Sequence, residues 1–282
     1  ILDNSSVKCW GANASGQLGL GDDDNRGDGS GEMGDNLTIV DLGSGRTAKA
    51  IATGDSHTCA LLDNALVKCW GENGNGQLGL GAGISNRGDG SGEMGDNLTA
   101  INLGSGRTAT SITTGTGYTC VLLDDDSVKC WGRADYGQLG AGKTEEYNEP
   151  NASPIDLGTG ITATAIASGN FHTCAILDNS SIKCWGRNDS GQLGIGDTGN
   201  RGDGTNEFGL TEMGDNLPAV DLGAGRTARA ISAGDSHTCV VLDNTSLKCW
   251  GKNESGQLGL GDNSPRGDNS SEMGGNLPVI SL

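Results

Sequence analysis

The chain has 282 residues, a formal net charge of −18 at neutral pH, 51 glycines and only 4% aromatic residues. Abundant glycine with few aromatics favours short strands joined by tight turns over long helices. So acidic a chain repels phosphate backbones, and no apolar run approaches the roughly 18 residues that a membrane helix needs. We therefore expect neither a nucleic-acid partner nor a membrane span.

The first eleven residues look like the second half of a hairpin. Residues 1–11 differ from residues 176–186 only at Ile182, where the first copy has valine. We therefore expect the chain to be part of a longer polypeptide. On this interpretation Cys9 pairs with a cysteine before residue 1, or it is unpaired and free to form an intermolecular disulfide.

Residues 57–71 contain the pattern that the rest of the chain repeats. Two β-favouring runs, residues 58–62 and 66–70, flank an Asp63-Asn64 turn, which predicts a β-hairpin. The cysteines lie symmetrically about the turn, so a cross-strand disulfide is geometrically reasonable, although the sequence leaves other pairings open. The same spacing recurs, which makes eight cysteines candidates for four disulfides: Cys59, Cys69, Cys120, Cys130, Cys174, Cys184, Cys239 and Cys249.

The cysteines also indicate a compartment. The chain has nine of them, eight in evenly spaced pairs, and it has neither a Cys-x-x-Cys motif nor a Cys/His cluster of the zinc type. This usage is typical of an oxidising environment. We predict a secreted or cell-surface protein.

A repeated unit of about 60 residues organises the whole chain. The triplet Cys-Trp-Gly ends at Gly11, Gly71, Gly132, Gly186 and Gly251, with spacings of 60, 61, 54 and 65 residues. Each triplet is followed by Gly-Gln-Leu-Gly, a variable loop and a short strand such as residues 37–42. A Gly-x-Gly turn then leads to an alanine-rich strand such as residues 47–52. Four antiparallel strands per period predict the blades of an all-β propeller.

We expect residues 1–282 to form a single repeat domain of about five blade units. The units run from about 1–46, 47–107, 108–161, 162–226 and 227–282. Two strand types occur five times and two occur four times, so one strand pair is missing. A ring of five blades could close if a neighbouring segment or subunit supplied that pair. Unpaired edges recruit other strands, so we also expect self-association into a polymer.

Two motifs resemble those of a known family. Residues 52–59 read Ala-x-Gly-x-x-His-Thr-Cys, and residues 69–79 read Cys-Trp-Gly-x-Asn-x-x-Gly-Gln-Leu-Gly. Together they resemble the regulator of chromosome condensation (RCC1) repeat, and this implies a β-propeller, usually of seven blades. Here the repeat is lengthened by an acidic insertion, and about four and a half repeats are present.

The sequence does not favour an enzyme. His57, His172 and His237 precede Thr-Cys at equivalent positions, which predicts a structural role because catalysis seldom needs one residue per blade. Phosphate-binding loops of the Walker kind, Gly-x-Ser-x-Gly and His-Glu-x-x-His are all absent. The resemblance implies guanine-nucleotide exchange as a further, less favoured function, because acidity and disulfides argue against a nuclear protein.

The acidic insertion offers a candidate cation site. Its carboxylates could bind calcium from a flexible, glycine-bearing loop, although their spacing matches no EF-hand: Asp22, Asp24, Asp28, Glu32 and Asp35. The alternative is a structural loop in which Arg26 pairs with a carboxylate and Met33 fills an apolar gap. Arg26 also begins an Arg-Gly-Asp tripeptide, for which turn formation is favoured over cell adhesion.

Three glycosylation sequons fall on predicted hairpin turns, where a glycan would be exposed: Asn4, Asn179 and Asn244. The interpretation that joins these features is a non-enzymatic, secreted, structural or adhesive protein that builds an extracellular filament or surface layer. The alternative is a monomeric propeller that binds a protein or glycan through its loops.

Overall fold

A computed structural model describes residues 1–150, 153–204 and 211–281. The chain divides into two compact units. One unit comprises Ile1–Asp125, Lys129–Arg133 and Glu146–Ala152. The other comprises Asp126–Val128, Ala134–Glu145 and Ser153–Leu282. The single domain of five blade units stays a prediction.

The described residues contain twelve strands in four three-stranded sheets, each with its strands in chain order. The first sheet is β1 (Ala48–Thr53), β2 (His57–Leu62) and β3 (Val67–Gly71), and the second is β4 (Ala109–Gly115), β5 (Tyr118–Leu123) and β6 (Val128–Gly132). The third sheet is β7 (Ala163–Ser168), β8 (His172–Leu177) and β9 (Ile182–Gly186), and the fourth is β10 (Ala228–Ala233), β11 (His237–Leu242) and β12 (Leu247–Gly251). Short 3-10 helices lie in the loops at Gly34–Asn36, Gly95–Asn97, Gly214–Asn216 and Gly274–Asn276.

The hairpin between the second and third strands has a three-residue loop. In the first sheet Ala65 N–H donates to Leu62 O and Leu62 N–H donates to Leu66 O, both at 2.9 Å. The third loop residue takes a left-handed conformation, with φ of 63° at Ala65. A type I turn followed by a left-handed residue matches the right-handed twist of the two strands. The hairpins predicted from the sequence are thus present, with the cysteines opposite each other, as at Cys59 and Cys69.

Alternate residues of the middle strand face opposite sides of the sheet, and both sides are buried. Cys59 and Leu61 belong to one hydrophobic cluster, together with Trp131 of the following repeat. Ala60 and Leu62 belong to another, together with Val7 of the preceding repeat. Because strand side chains alternate with a period of two, the first sheet packs against a neighbour on both faces. This explains why β2 is buried at every residue, whereas β11 of the fourth sheet alternates between buried and partly buried residues.

The expected fourth strand forms no ladder in the described residues. Residues 37–42 are extended and bury Leu37 and Val40, but only one backbone bond joins them to the preceding strand, from Val40 N–H to Val7 O at 2.9 Å. The later copies Pro218 and Pro278 have no N–H to donate. Each sheet thus has three strands plus this packed segment, which in the last repeat forms an isolated antiparallel bridge between Leu247 and Ile280.

Among the described residues, no helix is both long enough and apolar enough to cross a membrane.

Candidate functional site

Consecutive repeats are joined by hydrogen bonds to one glutamine carbonyl in four of the five Gly-Gln-Leu-Gly turns. Gln17 O accepts from Trp70 Nε1 at 3.0 Å and from Thr58 Oγ1 at 2.8 Å. The same two donors from the following repeat reach the other glutamine carbonyls: Trp131 and Thr119 to Gln77, Trp185 and Thr173 to Gln138, and Trp250 and Thr238 to Gln192. These four tryptophans are 0% exposed. Since each indole N–H has a partner, its burial leaves no donor unsatisfied.

Glycine is required where the indole meets the turn. At Gly79 the backbone has φ of +68°, and a Cβ there would lie 2.6 Å from Trp131 Nε1. A side chain at this position would therefore collide with the ring that closes the contact. A backbone hydrogen bond also joins the two repeats, for example from Gly21 N–H to Gly88 O at 2.9 Å. We call this set of bonds the repeat contact.

A buried histidine continues the repeat contact. Thr119 Oγ1 donates its only proton to Gln77 O, and it lies 2.9 Å from His57 Nε2. His57 must therefore donate from Nε2, which leaves Nδ1 as an acceptor. His172 Nε2 meets Thr238 Oγ1 at 2.9 Å in the same way.

Burial keeps these imidazoles neutral. It lowers the pKa of His57 to about 4 and that of His172 to about 3, where His237 adds to the effect. The pKa of the half-buried His237 is also lowered by burial. The arrangement supplies a hydrogen bond between repeats, which agrees with the predicted structural role.

A lysine on each third strand fixes the loop beside it. Lys68 Nζ donates to Leu42 O at 3.1 Å and to Gly95 O at 2.7 Å. Burial lowers the pKa of this ammonium group, and the carboxylates of Asp96 and Asp41 oppose that shift. Lys183 makes the equivalent bonds to Leu157 and Gly214. The start of the 3-10 helix is thereby tied to the sheet.

The structure joins the four predicted cysteine pairs in disulfide bonds: Cys59–Cys69, Cys120–Cys130, Cys174–Cys184 and Cys239–Cys249. Their Cα atoms lie 4.0 to 4.1 Å apart, as expected for directly opposed residues of antiparallel strands. Cys9 is free and partly buried. Burial raises the pKa of its thiol, and the nearby N-terminus partly offsets this.

The first repeat has an unfilled position beside Cys9. In the described chain no strand pairs with residues 7–11 in the way that β2 pairs with β3. A cavity of about 380 Å³ lies there, lined by Val7, Cys9, Ile51 and His57 among others. Trp10, the equivalent of the buried Trp70, is 62% exposed. This edge is the best-formed candidate for an interaction surface in the first unit.

The carboxylates of the acidic insertion are bonded within their own loop. Asp22 accepts from Arg26 at 2.6 Å, and Glu32 accepts from the N–H groups of Gly27 and Gly29, each at 2.8 Å. The described residues contain no group of three or more His, Cys, Asp or Glu side chains placed to hold a metal ion. These contacts favour the structural alternative, whereas calcium binding by Asp22, Asp24, Asp28, Glu32 and Asp35 stays a prediction.

The methionine of this loop differs between repeats. Met33 is 41% exposed, whereas its equivalents are nearly buried, with Met94 at 9%, Met213 at 6% and Met273 at 8%. In the second repeat, a Cβ at Gly19 would lie 2.9 Å from Met94 Cε and 2.7 Å from Trp70 Nε1. Met94 and Trp70 therefore both pack against Gly19 of the preceding repeat. The apolar gap expected for this side chain lies between repeats.

The three turn sequons are exposed. Asn4 Oδ1 accepts from Ser6 N–H at 3.1 Å, and Asn179 and Asn244 make the same Asx turn with Ser181 and Ser246. Their glycosylation stays a prediction.

The second unit contains an aromatic cluster that was not predicted from the sequence. Tyr136 and Phe171 have ring centroids 5.2 Å apart, and the Arg187 guanidinium lies 5.1 Å from the centre of the Tyr136 ring. All three side chains are partly exposed. Other repeats have serine or asparagine where this one has Tyr136, as at Ser15 and Asn75. That departure from the repeat was the available signal.

Two family models match the chain. Both are described as the regulator of chromosome condensation (RCC1) repeat. One matches residues 48–77, 109–138, 163–192 and 228–257, and the other matches residues 125–176 and 184–241. Together they include residues 48–77 and 109–257, which is more than half of the chain.

Curated relatives carry the same repeats. The ultraviolet-B receptor UVR8 of Arabidopsis thaliana is 32% identical over 222 residues, which cover 78% of this chain and 45% of UVR8. The RCC1 domain-containing protein RUG3, mitochondrial, of the same plant is 27% identical over 213 residues, covering 75% of this chain and 43% of RUG3. The chain thus spans less than half the length of these two relatives.

Solved structures share the fold. The crystal structure of Prp20p from Saccharomyces cerevisiae matches with a TM-score of 0.70 and 20% identity, over 99% of this chain and 60% of that chain. Human WBSCR16 matches with a TM-score of 0.70 and 18% identity, over 96% and 60%. The predicted all-β propeller class is confirmed. The chain belongs to the regulator of chromosome condensation (RCC1) repeat family.

Proposed function

We propose that this chain is a non-enzymatic, secreted scaffold that associates with itself to build an extracellular filament or surface layer. One observation carries the proposal. In the first unit, the 62% exposed Trp10 and the free, partly buried Cys9 lie beside a cavity of about 380 Å³. Exposed aromatic side chains next to a cavity are typical of protein contact surfaces.

The disulfides support the proposed location. Four buried disulfides are typical of secreted proteins, because cytosolic thiols are kept reduced. The net charge of −18 keeps such a protein away from nucleic acid. One relative is named as mitochondrial, so location needs its own measurement.

The test of assembly uses material from the native source. Negative-stain microscopy and intact mass before and after reduction are measured together. We expect regular filaments or sheets, and a mass well above 28.5 kDa before dissociation. A discrete monomer near that mass, with no ordered assemblies in the images, would contradict the scaffold function.

The test of location measures thiol state. Protein in the cell exterior and in the cytosol is alkylated without reduction, and the modified cysteines are mapped. The proposal expects extracellular protein in which the eight paired cysteines stay unmodified. Recovery of the protein in the cytosol with all nine cysteines alkylated would contradict secretion.

A second function is favoured by the aromatic cluster of Tyr136, Phe171 and Arg187. Tyrosine and arginine are enriched at binding hot spots, and ring faces stack on apolar ligand surfaces. We propose that this cluster binds a protein or glycan. The test compares Tyr136→Ala with Ser190→Ala, its equivalent in the next repeat, for binding to an array of glycans and to extracellular proteins. Equal binding by the two variants would exclude the cluster as a binding site.

A further inference from the structure

The aromatic cluster of Tyr136, Phe171 and Arg187 lies where two departures from the repeat meet. Tyr136 occupies a turn position that holds serine or asparagine in the other repeats, as at Ser15 and Asn75. Phe171 occupies a position that holds serine or glycine in the other sheets: Ser56, Gly117 and Ser236. Two small or polar side chains are thus replaced by rings at one point of the second unit, with centroids 5.2 Å apart.

The turn itself does not need an aromatic side chain at this position. Tyr136 N–H donates to Gln138 Oε1 at 2.9 Å, and Ser190 N–H makes the same bond to Gln192 Oε1 at 2.9 Å. The bond that shapes the turn is therefore independent of the side chain. Since the Tyr136 ring is partly exposed, we attribute it to binding and not to folding.

The repeats that carry the cluster are packed on both sides. The turn that follows Tyr136 makes its repeat contact, in which Trp185 Nε1 donates to Gln138 O at 3.0 Å. The next turn makes its own contact, from Trp250 Nε1 to Gln192 O at 3.0 Å. The exposure of the cluster is therefore that of an interior repeat with a neighbour on each side.

The charge of Arg187 is neutralised within the site. Its guanidinium lies 5.1 Å from the centre of the Tyr136 ring and 5.8 Å from the centre of the Phe171 ring. Its Nε and Nη2 donate to Asp189 Oδ2 at 3.0 and 2.5 Å. The adjacent Asp135 is exposed, and the chain has a net charge of −18. An anionic ligand is therefore repelled.

The composition of the site fits a sugar better than a protein. Protein interfaces of standard size bury about 800 Å² on each partner, and their centres are depleted of aspartate. Here the exposed Asp135 and Asp189 flank the rings. A sugar ring is small enough to cover two aromatic side chains. Its C–H face packs on their apolar faces, and its hydroxyl groups donate to carboxylates.

Asp189 has acceptor capacity for such a hydroxyl group. Its side chain is 52% exposed, and its Oδ1 accepts a long bond from Gln192 Nε2 at 3.4 Å. A carboxylate has about four acceptor sites, so Oδ1 can accept from a further donor. Hydrogen bonds to a charged acceptor are among the stronger ones.

We infer that this cluster binds a neutral polysaccharide. A sugar ring stacks on Tyr136 and Phe171, and its hydroxyl groups donate to Asp189, which Arg187 holds in place. The inference rests on the second proposed function, the binding of a protein or glycan by the cluster, and it names the class of ligand. It is independent of self-association.

The test is isothermal titration calorimetry of the 282-residue chain with soluble probes of known charge. The neutral probes are hexasaccharides of β-linked glucose, α-linked glucose, β-linked mannose and β-linked xylose, and the acidic probe is hexagalacturonate. Tyr136→Ser and Phe171→Ser each introduce the residue found at equivalent positions, so the fold should tolerate them. Asn75→Ser is the control, because it changes the equivalent turn of another repeat. Circular dichroism checks that each variant is folded.

We expect the unmodified chain to bind at least one neutral probe and to bind hexagalacturonate more weakly. Tyr136→Ser and Phe171→Ser should each weaken the binding of the neutral probe at least tenfold, whereas Asn75→Ser should leave it unchanged. Asp189→Asn should weaken it severalfold, because an amide oxygen is a weaker acceptor than a carboxylate.

Three results would overturn the inference, and they separate it from the proposed function. Failure to bind any neutral probe, or tighter binding of hexagalacturonate, would reject a neutral sugar as the ligand. If Tyr136→Ser nevertheless abolishes binding of an extracellular protein, the cluster remains a protein-binding site, and if it does not, the second proposed function fails as well. Sugar binding that Tyr136→Ser and Phe171→Ser leave unchanged would place the sugar site outside the cluster.

Discussion

At the scale of single residues, the backbone of the first hairpin loop is strained at Ala65, where glycine would fit without strain. Ala65 has φ of 63°, in the left-handed region that costs a non-glycine residue roughly 1–2 kcal/mol. Ala65→Gly removes that strain, and the greater freedom of glycine in the unfolded chain offsets part of the gain. We expect the free energy of unfolding to rise by up to about 1 kcal/mol. Urea denaturation of this variant measures it.

The control for that prediction is Ala12→Gly, because Ala12 lies outside the left-handed region. This change should leave stability unaltered or lower it. A loss of stability in Ala65→Gly equal to that of the control would contradict the strain argument.

The buried histidines make stability depend on pH. In the unfolded chain histidine has the ordinary pKa of 6.5, whereas in the folded protein burial lowers the pKa of His57 to about 4. Below pH 6.5 the unfolded state therefore binds more protons, and the free energy of unfolding falls as the pH decreases towards 4. Above pH 6.5 both states are neutral, and this contribution is fully present.

His57→Gln tests that dependence, because glutamine donates a hydrogen bond without titrating. Between pH 6.5 and pH 4, we expect the free energy of unfolding of the variant to fall by about 3 kcal/mol less than that of the unmodified chain. Denaturant unfolding at each pH measures this difference. The half-buried His237 provides the comparison, since His237→Gln should have a smaller effect. Identical pH profiles for His57→Gln and the unmodified chain would show that this imidazole does not carry the effect.

At the scale of the hairpin, the disulfide closes a short loop with a sequence separation of 10 residues. In the chain-entropy account such a cross-link stabilises the fold by about 2–3 kcal/mol. The double variant Cys59→Ala with Cys69→Ala should lose about that amount of unfolding free energy, measured by guanidinium denaturation. Cys9→Ala closes no loop and should keep the stability of the unmodified chain. Equal stabilities for the double variant and Cys9→Ala would refute the stabilising role of the Cys59–Cys69 disulfide.

At the scale of the whole molecule, the net charge of −18 opposes assembly. Copies repel one another at low ionic strength, and salt screens this repulsion over a Debye length of about 10 Å at 0.1 M. We expect self-association to strengthen as sodium chloride rises, measured by sedimentation velocity. Dissociation on adding salt would instead indicate that ion pairs hold the copies together.

The sequence predicted the local structure correctly because that structure depends on spacing. The distance from Cys59 to Cys69, with a turn between them, placed the two residues opposite each other. The same pattern did not predict that residues 37–42 form only one backbone bond with the preceding strand. An apolar run with β propensity is compatible both with a ladder and with an extended segment held by its side chains. The sequence predicted that Arg26 pairs with a carboxylate, but not that Asp22 is its partner or that Glu32 accepts from Gly27 and Gly29, because loop contacts depend on backbone geometry.

By itself, the sequence determined the repeat, its strand alternation and its family, since each is encoded within about 60 consecutive residues. Only the tertiary structure decided which copies of a residue are buried. Trp10 and Trp70 follow the same Lys-Cys dipeptide, yet one is 62% exposed and the other 0%. The difference arises because burial depends on the turn contributed by the preceding repeat, and Gln17 supplies it for Trp70 alone. Packing between repeats therefore decides the burial of equivalent side chains, which no single repeat encodes.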